Sequence, residues 1–231
     1  MSLTPGSLDG ATVALDLDGT LVDSAPDLVG ALNTVLTEQG LPNLTVAEAG
    51  VMVGRGARAL LERGFAAAGH ALVPGETRPL VTRFIEVYRG RIARESRPFD
   101  GCESALADLK EAGASLCVCT NKFTDLSVAL LESVGLAGYF AAIVGPDAAP
   151  AAKPDARHLI AAVEAAGGRI ERCVMVGDSI SDVGVARAAG APSIVVTFGY
   201  TDVSPAELGG DYLIDRFAEL PPLAAALLGR E

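Results

Sequence analysis

Asp16 and Asp18 stand two residues apart at the end of an apolar run, in the stretch VALDLDGTLVDS that spans residues 13–24. Carboxylates are seldom buried and a close pair repels, so a strand that ends in two of them needs something to offset their charge. Residues i and i+2 of an extended chain point the same way, which lets both carboxylates face one site. An Asp-Gly turn accounts for Asp18 and Gly19 but leaves Asp16 unexplained. A third carboxylate, Asp178, closes a second apolar run, RCVMVGD. Oxygen ligands in this number suit Mg²⁺, which takes a few carboxylates, water and a phosphate oxygen. Lys153 and Thr120 add a cation and a hydroxyl donor for the remaining oxygens of a phosphate. A carboxylate in such a place can also serve as a nucleophile through an aspartyl-phosphate, with the metal and the lysine offsetting its repulsion from the phosphate.

These residues need strands to carry them. Beyond the opening run, the segments ASLCVCTN, FAAIVG, RCVMVGD and PSIVVT are short and apolar, and helical stretches beginning near Cys102, Thr124, Asp155 and Ser179 separate them. Strands buried on both faces and joined by helices make a parallel sheet. Ligands of such sheets bind beyond the carboxyl ends of the strands, where Asp16, Asp18, Thr120, Asn121, Lys122, Asp178 and Ser179 all fall, with Lys153 in the loop after the third strand. The interval from Ser24 to about Arg97 differs: it holds helices and no convincing strand. Its first helix opens on a Ser-x-x-Asp capping pattern (Ser24, Asp27) with Pro26 in the first turn. Leu28, Ala31, Leu32, Val35 and Leu36 then recur at helical spacing up to Gly40. Two further helices are expected, over about Ala57–Ala68 and Glu76–Arg94. The expected fold is α/β: a Rossmann-like parallel-sheet core domain made of residues 1–23 and 97–231, with an all-helical cap domain, residues 24–96, inserted after the first strand.

Bulk properties narrow the partners. The chain has 231 residues and a net charge of −11, which argues against nucleic acid, since that binding neutralises phosphates with many Lys and Arg. The charge is uneven, because residues 51–97 hold nine Arg against four Glu and stand at +5, leaving the rest at −16. No apolar run is long enough to cross a bilayer and no signal-like start is present, so no membrane partner and a cytoplasmic protein, monomer or homodimer, are expected. The four cysteines, Cys102, Cys117, Cys119 and Cys173, lack Cys-x-x-Cys spacing and read as buried, reduced thiols.

Four ordered motifs carry a resemblance: DLDGT (residues 16–20), CTN (119–121), KPD (153–155) and GDSISD (177–182). The chain resembles the haloacid dehalogenase superfamily over nearly its whole length. The resemblance implies Asp16 as the nucleophile that forms the phosphoenzyme, and Asp18 as the acid that protonates the leaving alkoxide and then the base that activates water. It implies Thr120 and Asn121 with Lys153 at the phosphoryl group, and Asp178 holding Mg²⁺ together with Asp16 and the main-chain carbonyl of Asp18. Asp182 would support the metal from behind, although Ser179-x-x-Asp182 also reads as a capping box. Within the superfamily, DLDGTLVDSAPDL, VGRGARALLERG, TNKF, FGYTD and YLIDRFAEL are similar to phosphoglycolate phosphatases. That implies a small-molecule phosphomonoester, 2-phosphoglycolate, as substrate.

Arg55, between two glycines, and Arg58 are the candidates in the helical insert for a substrate carboxylate. Lys122 stands between a substrate contact and a surface residue. GRGARA also resembles a dinucleotide fingerprint, but the helical segment that follows lacks the second strand such a site needs. His70 and His158 fall outside every motif and read as surface residues. The competing functions are other reactions on the same core (a phosphosugar phosphatase or mutase, or a pyrophosphatase), a 2-haloacid dehalogenase, and a non-enzymatic binding protein. The dehalogenase would need neither Asp18 nor the Asp178 cluster, and the binding protein is disfavoured because no motif residue is missing.

Overall fold

The structure, a computed structural model, describes residues 3–73 and 75–229. β1 (Thr12–Leu15) is buried along its whole length. After a turn comes β2 (Val22–Asp23), and then the helical interval: α1 (Ala25–Glu38), α2 (Val46–Gly50), α3 (Gly56–Ala67) and α4 (Thr77–Arg89). β3 (Arg97–Pro98) pairs antiparallel with β2, so the two crossings of the chain into and out of the helical interval are stitched side by side. Strands and helices then alternate: α5 (Cys102–Glu111), β4 (Ser115–Cys119), α6 (Thr124–Ser133), β5 (Ala142–Val144), α7 (Ala156–Ala165), β6 (Cys173–Gly177), α8 (Ile180–Ala189) and β7 (Ser193–Val196). The chain closes with β8 (Tyr212–Ile214) and α9 (Leu220–Leu228).

The large sheet has six strands in the order β5-β4-β1-β6-β7-β8, every neighbouring pair parallel. The order reverses beside β1, which is the switch point of a doubly wound sheet. Alternation along the strands explains the two packed faces. Val13, Leu15, Val174 and Val176 join Leu106, Leu109, Leu130 and Leu220 of α5, α6 and α9 on one side. Ala14, Cys117, Met175 and Cys173 face the other way, against Leu159, Val163 and Val185 of α7 and α8. All four cysteines are free and buried, as expected.

The helical interval forms its own apolar cluster, in which Leu28, Leu32, Val35 and Leu36 of α1 meet Leu60, Leu61 and Phe65 of α3 and Phe84 and Tyr88 of α4. Three expectations are corrected here. Ser24 does not cap α1: its hydroxyl donates to Asp18 Oδ1 at 2.5 Å. Asp27 turns instead to the far crossing and accepts from the main-chain N–H groups of Glu95 and Ser96, the Ser96 hydroxyl and Arg91. α4 ends at Arg89 rather than Arg94. α2, with a Thr45–Glu48 capping box, and β8 were not anticipated.

Candidate active site

β1 runs between β4 and β6, so the residues after Leu15 emerge at the switch point, and Asp16 is held there by its N–H on Val176 O at 2.9 Å. Asp178 arrives from the end of β6 and Asp182 from the first turn of α8. One carboxylate oxygen from each of Asp16, Asp178 and Asp182 lies within 4.8 Å of the others, all buried. Lys153, from the loop ahead of α7, is fully enclosed and places its Nζ 2.9 Å from Asp16 Oδ1 and 2.6 Å from Asp182 Oδ1. His158 supports that loop by accepting the Lys153 N–H at Nδ1, 3.0 Å away, while Nε2 lies 3.2 Å from Val144 O. An amide can only donate and a carbonyl only accept, so the ring is neutral with its proton on Nε2. His158 is fully buried, which corrects the surface assignment, whereas His70 is exposed beside Glu76.

The remaining bonds sort the aspartates by task. Asp182 Oδ2 accepts the Ser179 N–H at 2.9 Å, the Ser179 hydroxyl at 2.6 Å and the Asp178 N–H at 3.2 Å, so it orients Lys153 and the start of α8 together. Asp178 is held by the Thr20 hydroxyl at 3.1 Å and the Tyr200 N–H at 2.7 Å. Asp16 Oδ1 takes the Leu17 N–H at 2.7 Å as well as Lys153. Burial pushes the Asp16 carboxyl up to about 7, with Lys153 pulling it back and Asp182 adding to the rise. Asp178 is driven well above the carboxylate range by burial and then by Asp182 and Asp16. Three buried carboxylates around one ammonium leave a surplus of negative charge, and only oxygen donors face it. This donor set fits Mg²⁺.

Two glycines make the room. A side chain at Gly19, where φ is +83°, would come within 2.2 Å of Asp178 Oδ2, and one at Gly199 within 2.2 Å of Asp178 Cβ.

A second group of charges lies toward the helical interval. Asp18 accepts Lys122 Nζ at 2.7 and 3.0 Å on its two oxygens, in addition to Ser24. Burial works against the Lys122 charge, but the adjoining Asp18 carboxylate outweighs it and raises the lysine above its ordinary value. Lys122 is therefore neither solvent-facing nor peripheral. Asp16, Asp18, Thr120, Asn121 and Lys122 line one cavity with Leu28, Val53, Leu60, Phe84 and Tyr88 of the helical interval. Asn121 reaches that cavity but engages its amide with main chain, accepting the Lys153 N–H at 3.0 Å. The two arginines are not brought in. Arg58 is exposed and paired with Glu62 at 2.8 Å, and Arg55 borders a separate groove beside Ser179, Tyr200 and Asp202.

A sequence model of haloacid dehalogenase-like hydrolases matches residues 11–190, which hold all four motifs with Asp16, Asp18, Thr120, Lys122, Lys153, Asp178 and Asp182. The chain belongs to that family. The hydrolase is 57% identical over 221 residues to a protein of Caulobacter vibrioides named phosphoglycolate phosphatase, across 96% of this chain and 93% of that one. A second of that name, from Agrobacterium fabrum, is 49% identical over 90% of this chain and 89% of its own length. Among solved structures, a predicted phosphoglycolate phosphatase from Haemophilus somnus 129pt superposes with a TM-score of 0.84 at 28% identity, covering 92% of this chain and 97% of that one. Sequence reasoning about this hydrolase passed over Thr20, Tyr88 and Tyr200. Thr20 and Tyr200 lay inside quoted motifs, DLDGT and FGYTD, but only the fold brings them onto Asp178, and Tyr88 sits in a helix whose apolar spacing reads as core.

Proposed function

We propose that this hydrolase removes phosphate from 2-phosphoglycolate in a Mg²⁺-dependent reaction through a phosphoaspartate at Asp16. The observation that carries it is the buried meeting of Asp16, Asp178 and Asp182 with the single ammonium of Lys153 at the switch point of the sheet. The two relatives named for that activity support the choice of ester.

Asp16 Oδ1 is engaged by Leu17 and Lys153, so Oδ2 is the oxygen left to attack phosphorus. As the new O–P bond forms, the bond from phosphorus to the ester oxygen breaks, and protonated Asp18 hands its proton to the departing alkoxide, giving glycolate. Asp18, now a carboxylate, takes a proton from water, whose oxygen attacks phosphorus and breaks the bond to Asp16, releasing phosphate. Lys153 and the Thr120 hydroxyl hold the phosphoryl oxygens through both displacements. Asp16, Asp178 and the Asp18 carbonyl would hold Mg²⁺, which when bound supplies charge that offsets the repulsion between carboxylate and phosphate. Asp182 keeps Lys153 and the Asp178 loop in place.

Residues 24–96 are proposed to act as a cap that closes over the site and excludes water. The paired crossings at β2 and β3 are the natural hinge, and ion pairs Arg63–Asp202 and Arg89–Asp125 link α3 and α4 to the core. Arg55, at the edge of the groove beneath α3, remains a candidate for meeting the substrate as it enters. We place the enzyme in the cytoplasm as a monomer or homodimer; no helix among the described residues is long and apolar enough to cross a membrane.

The test is phosphate release from 2-phosphoglycolate, β-glucose-1-phosphate, pyrophosphate and p-nitrophenyl phosphate, with Mg²⁺ and with a chelator. Metal-dependent turnover with 2-phosphoglycolate highest in kcat/KM is expected. A different preferred ester would overturn the substrate, and metal-independent turnover would overturn the mechanism.

A further inference from the structure

The Tyr88 hydroxyl is fully buried and has no hydrogen-bond partner among the described residues, which is an uncommon and unfavourable state for a phenol. The neighbouring ammonium lies over its ring, with Lys122 Nζ 4.4 Å from the centroid, and makes its hydrogen bonds to Asp18. Burial also raises the Tyr88 phenol, so at neutral pH it carries its proton and is a donor. The cavity thus holds two buried donors side by side, Lys122 from the core and Tyr88 from α4, one of them unused. The walls around them, Leu28, Val53, Leu60 and Phe84, offer nothing to a hydroxyl-rich substrate.

Position decides what the donors meet. Asp18 serves the ester oxygen on the leaving side, and Lys122 is bonded to Asp18, so the ammonium stands one step further along the leaving group. A carboxylate attached through one carbon to the ester oxygen would arrive at that point, where one ammonium can bond both Asp18 and the incoming anion.

We infer that Lys122 and Tyr88 form a receptor for a carboxylate on the leaving group, and that they select small phosphomonoesters carrying an acid group beside the ester oxygen. The inference rests on phosphomonoester hydrolysis at Asp16 as proposed above. A charged acceptor arriving there would give the Tyr88 hydroxyl a bond that no described residue provides.

The experiment compares kcat/KM for 2-phosphoglycolate and for ethyl phosphate, which has the same chain with a methyl in place of the carboxylate. Sites built to bond a polar group reject analogues lacking it strongly, so a ratio of at least about 1,000 is expected for the wild type. Lys122→Met disturbs Asp18 for every ester, but the ratio cancels that effect and should fall by at least about 100-fold. Tyr88→Phe should lower it by about 10-fold. A second readout uses the Asp16→Asn protein, which binds without turnover. Adding Tyr88→Phe should leave its Tm without ligand unchanged or higher, because a buried unsatisfied hydroxyl is removed, and shrink the rise in Tm produced by 2-phosphoglycolate. Variants that slow both esters by one common factor would overturn the inference and leave the phosphatase assignment standing. Failure of the wild type to hydrolyse either ester with Mg²⁺ would overturn both.

Discussion

His158 shows how one side chain reports on the site it supports. Burial first, and then the nearby Lys153 charge, bring its pKa down to about 4 from an ordinary 6.5. The folded protein thus resists the proton that the unfolded chain accepts. Stability is therefore full above about pH 6.5 and falls as the pH drops toward 4, by about 3 kcal/mol from this group. His158→Asn retains an oxygen to accept the Lys153 N–H and has no such titration. Denaturant unfolding at pH 7 and pH 4.5 should show a smaller loss in the variant than in the wild type. Equal losses would mean that His158 is not held neutral. Nothing in the local sequence of His158 marks it, since it lies five residues past Lys153 in an alanine-rich helix, and only the fold of the loop turns its ring inward.

The elements that carry the site were largely legible in the sequence. Five of the six strands in the large sheet, and the helices beginning at or beside Cys102, Thr124, Asp155 and Ser179, follow from apolar run length and periodicity, because both faces of the sheet are covered. β8 escaped because it is three residues long at the sheet edge, with Tyr212 and Leu213 exposed. α2 is five residues with almost no buried stripe, so periodicity had nothing to detect. Ser24 and Asp27 mimicked a cap because the same short polar side chains serve caps and hinges alike, and only tertiary contacts distinguish the two. The turn at Gly19 is where local geometry and site chemistry meet. Gly19→Ala would demand a left-handed backbone from alanine and drive a methyl group into Asp178, with an expected loss of about 2–4 kcal/mol in stability. Mg²⁺-dependent turnover should fall with it. Retention of both would show that the Asp178 loop moves freely, contrary to its bonds with Thr20 and Tyr200.

At the scale of the whole molecule, three buried carboxylates, Asp16, Asp178 and Asp182, meet where a cation is wanted, while half of the basic residues fall in residues 51–97, in and beside the helical interval. Without metal, protons substitute for it: Asp16 has its pKa raised to about 7, so this group's contribution to the stability of the metal-free fold is greatest below the ordinary carboxylate value of 3.8 and is lost as the pH rises through 7. Added Mg²⁺ should accordingly raise Tm more at pH 8 than at pH 5, where protons compete for the same oxygens. An equal rise at both would mean that the metal binds elsewhere. The division of labour, a rigid sheet that holds Asp16, Asp178 and Lys153 and a helical layer that supplies the walls, was visible in the sequence as a change of periodicity. Which side chains of the helical layer face the cavity was not: Arg58 pairs with Glu62 and Arg55 borders a separate groove, and exposed positions leave no mark of direction in a single sequence.

The most direct measurement is to quench the protein during turnover of 2-phosphoglycolate with Mg²⁺ and locate the phosphoryl group by peptide mass spectrometry, beside an Asp16→Asn control. Phosphate found on Asp16 alone, absent from the control and absent when chelator replaces Mg²⁺, is the expected result. Full turnover with no phosphoaspartate, or turnover that survives Asp16→Asn, would contradict the account.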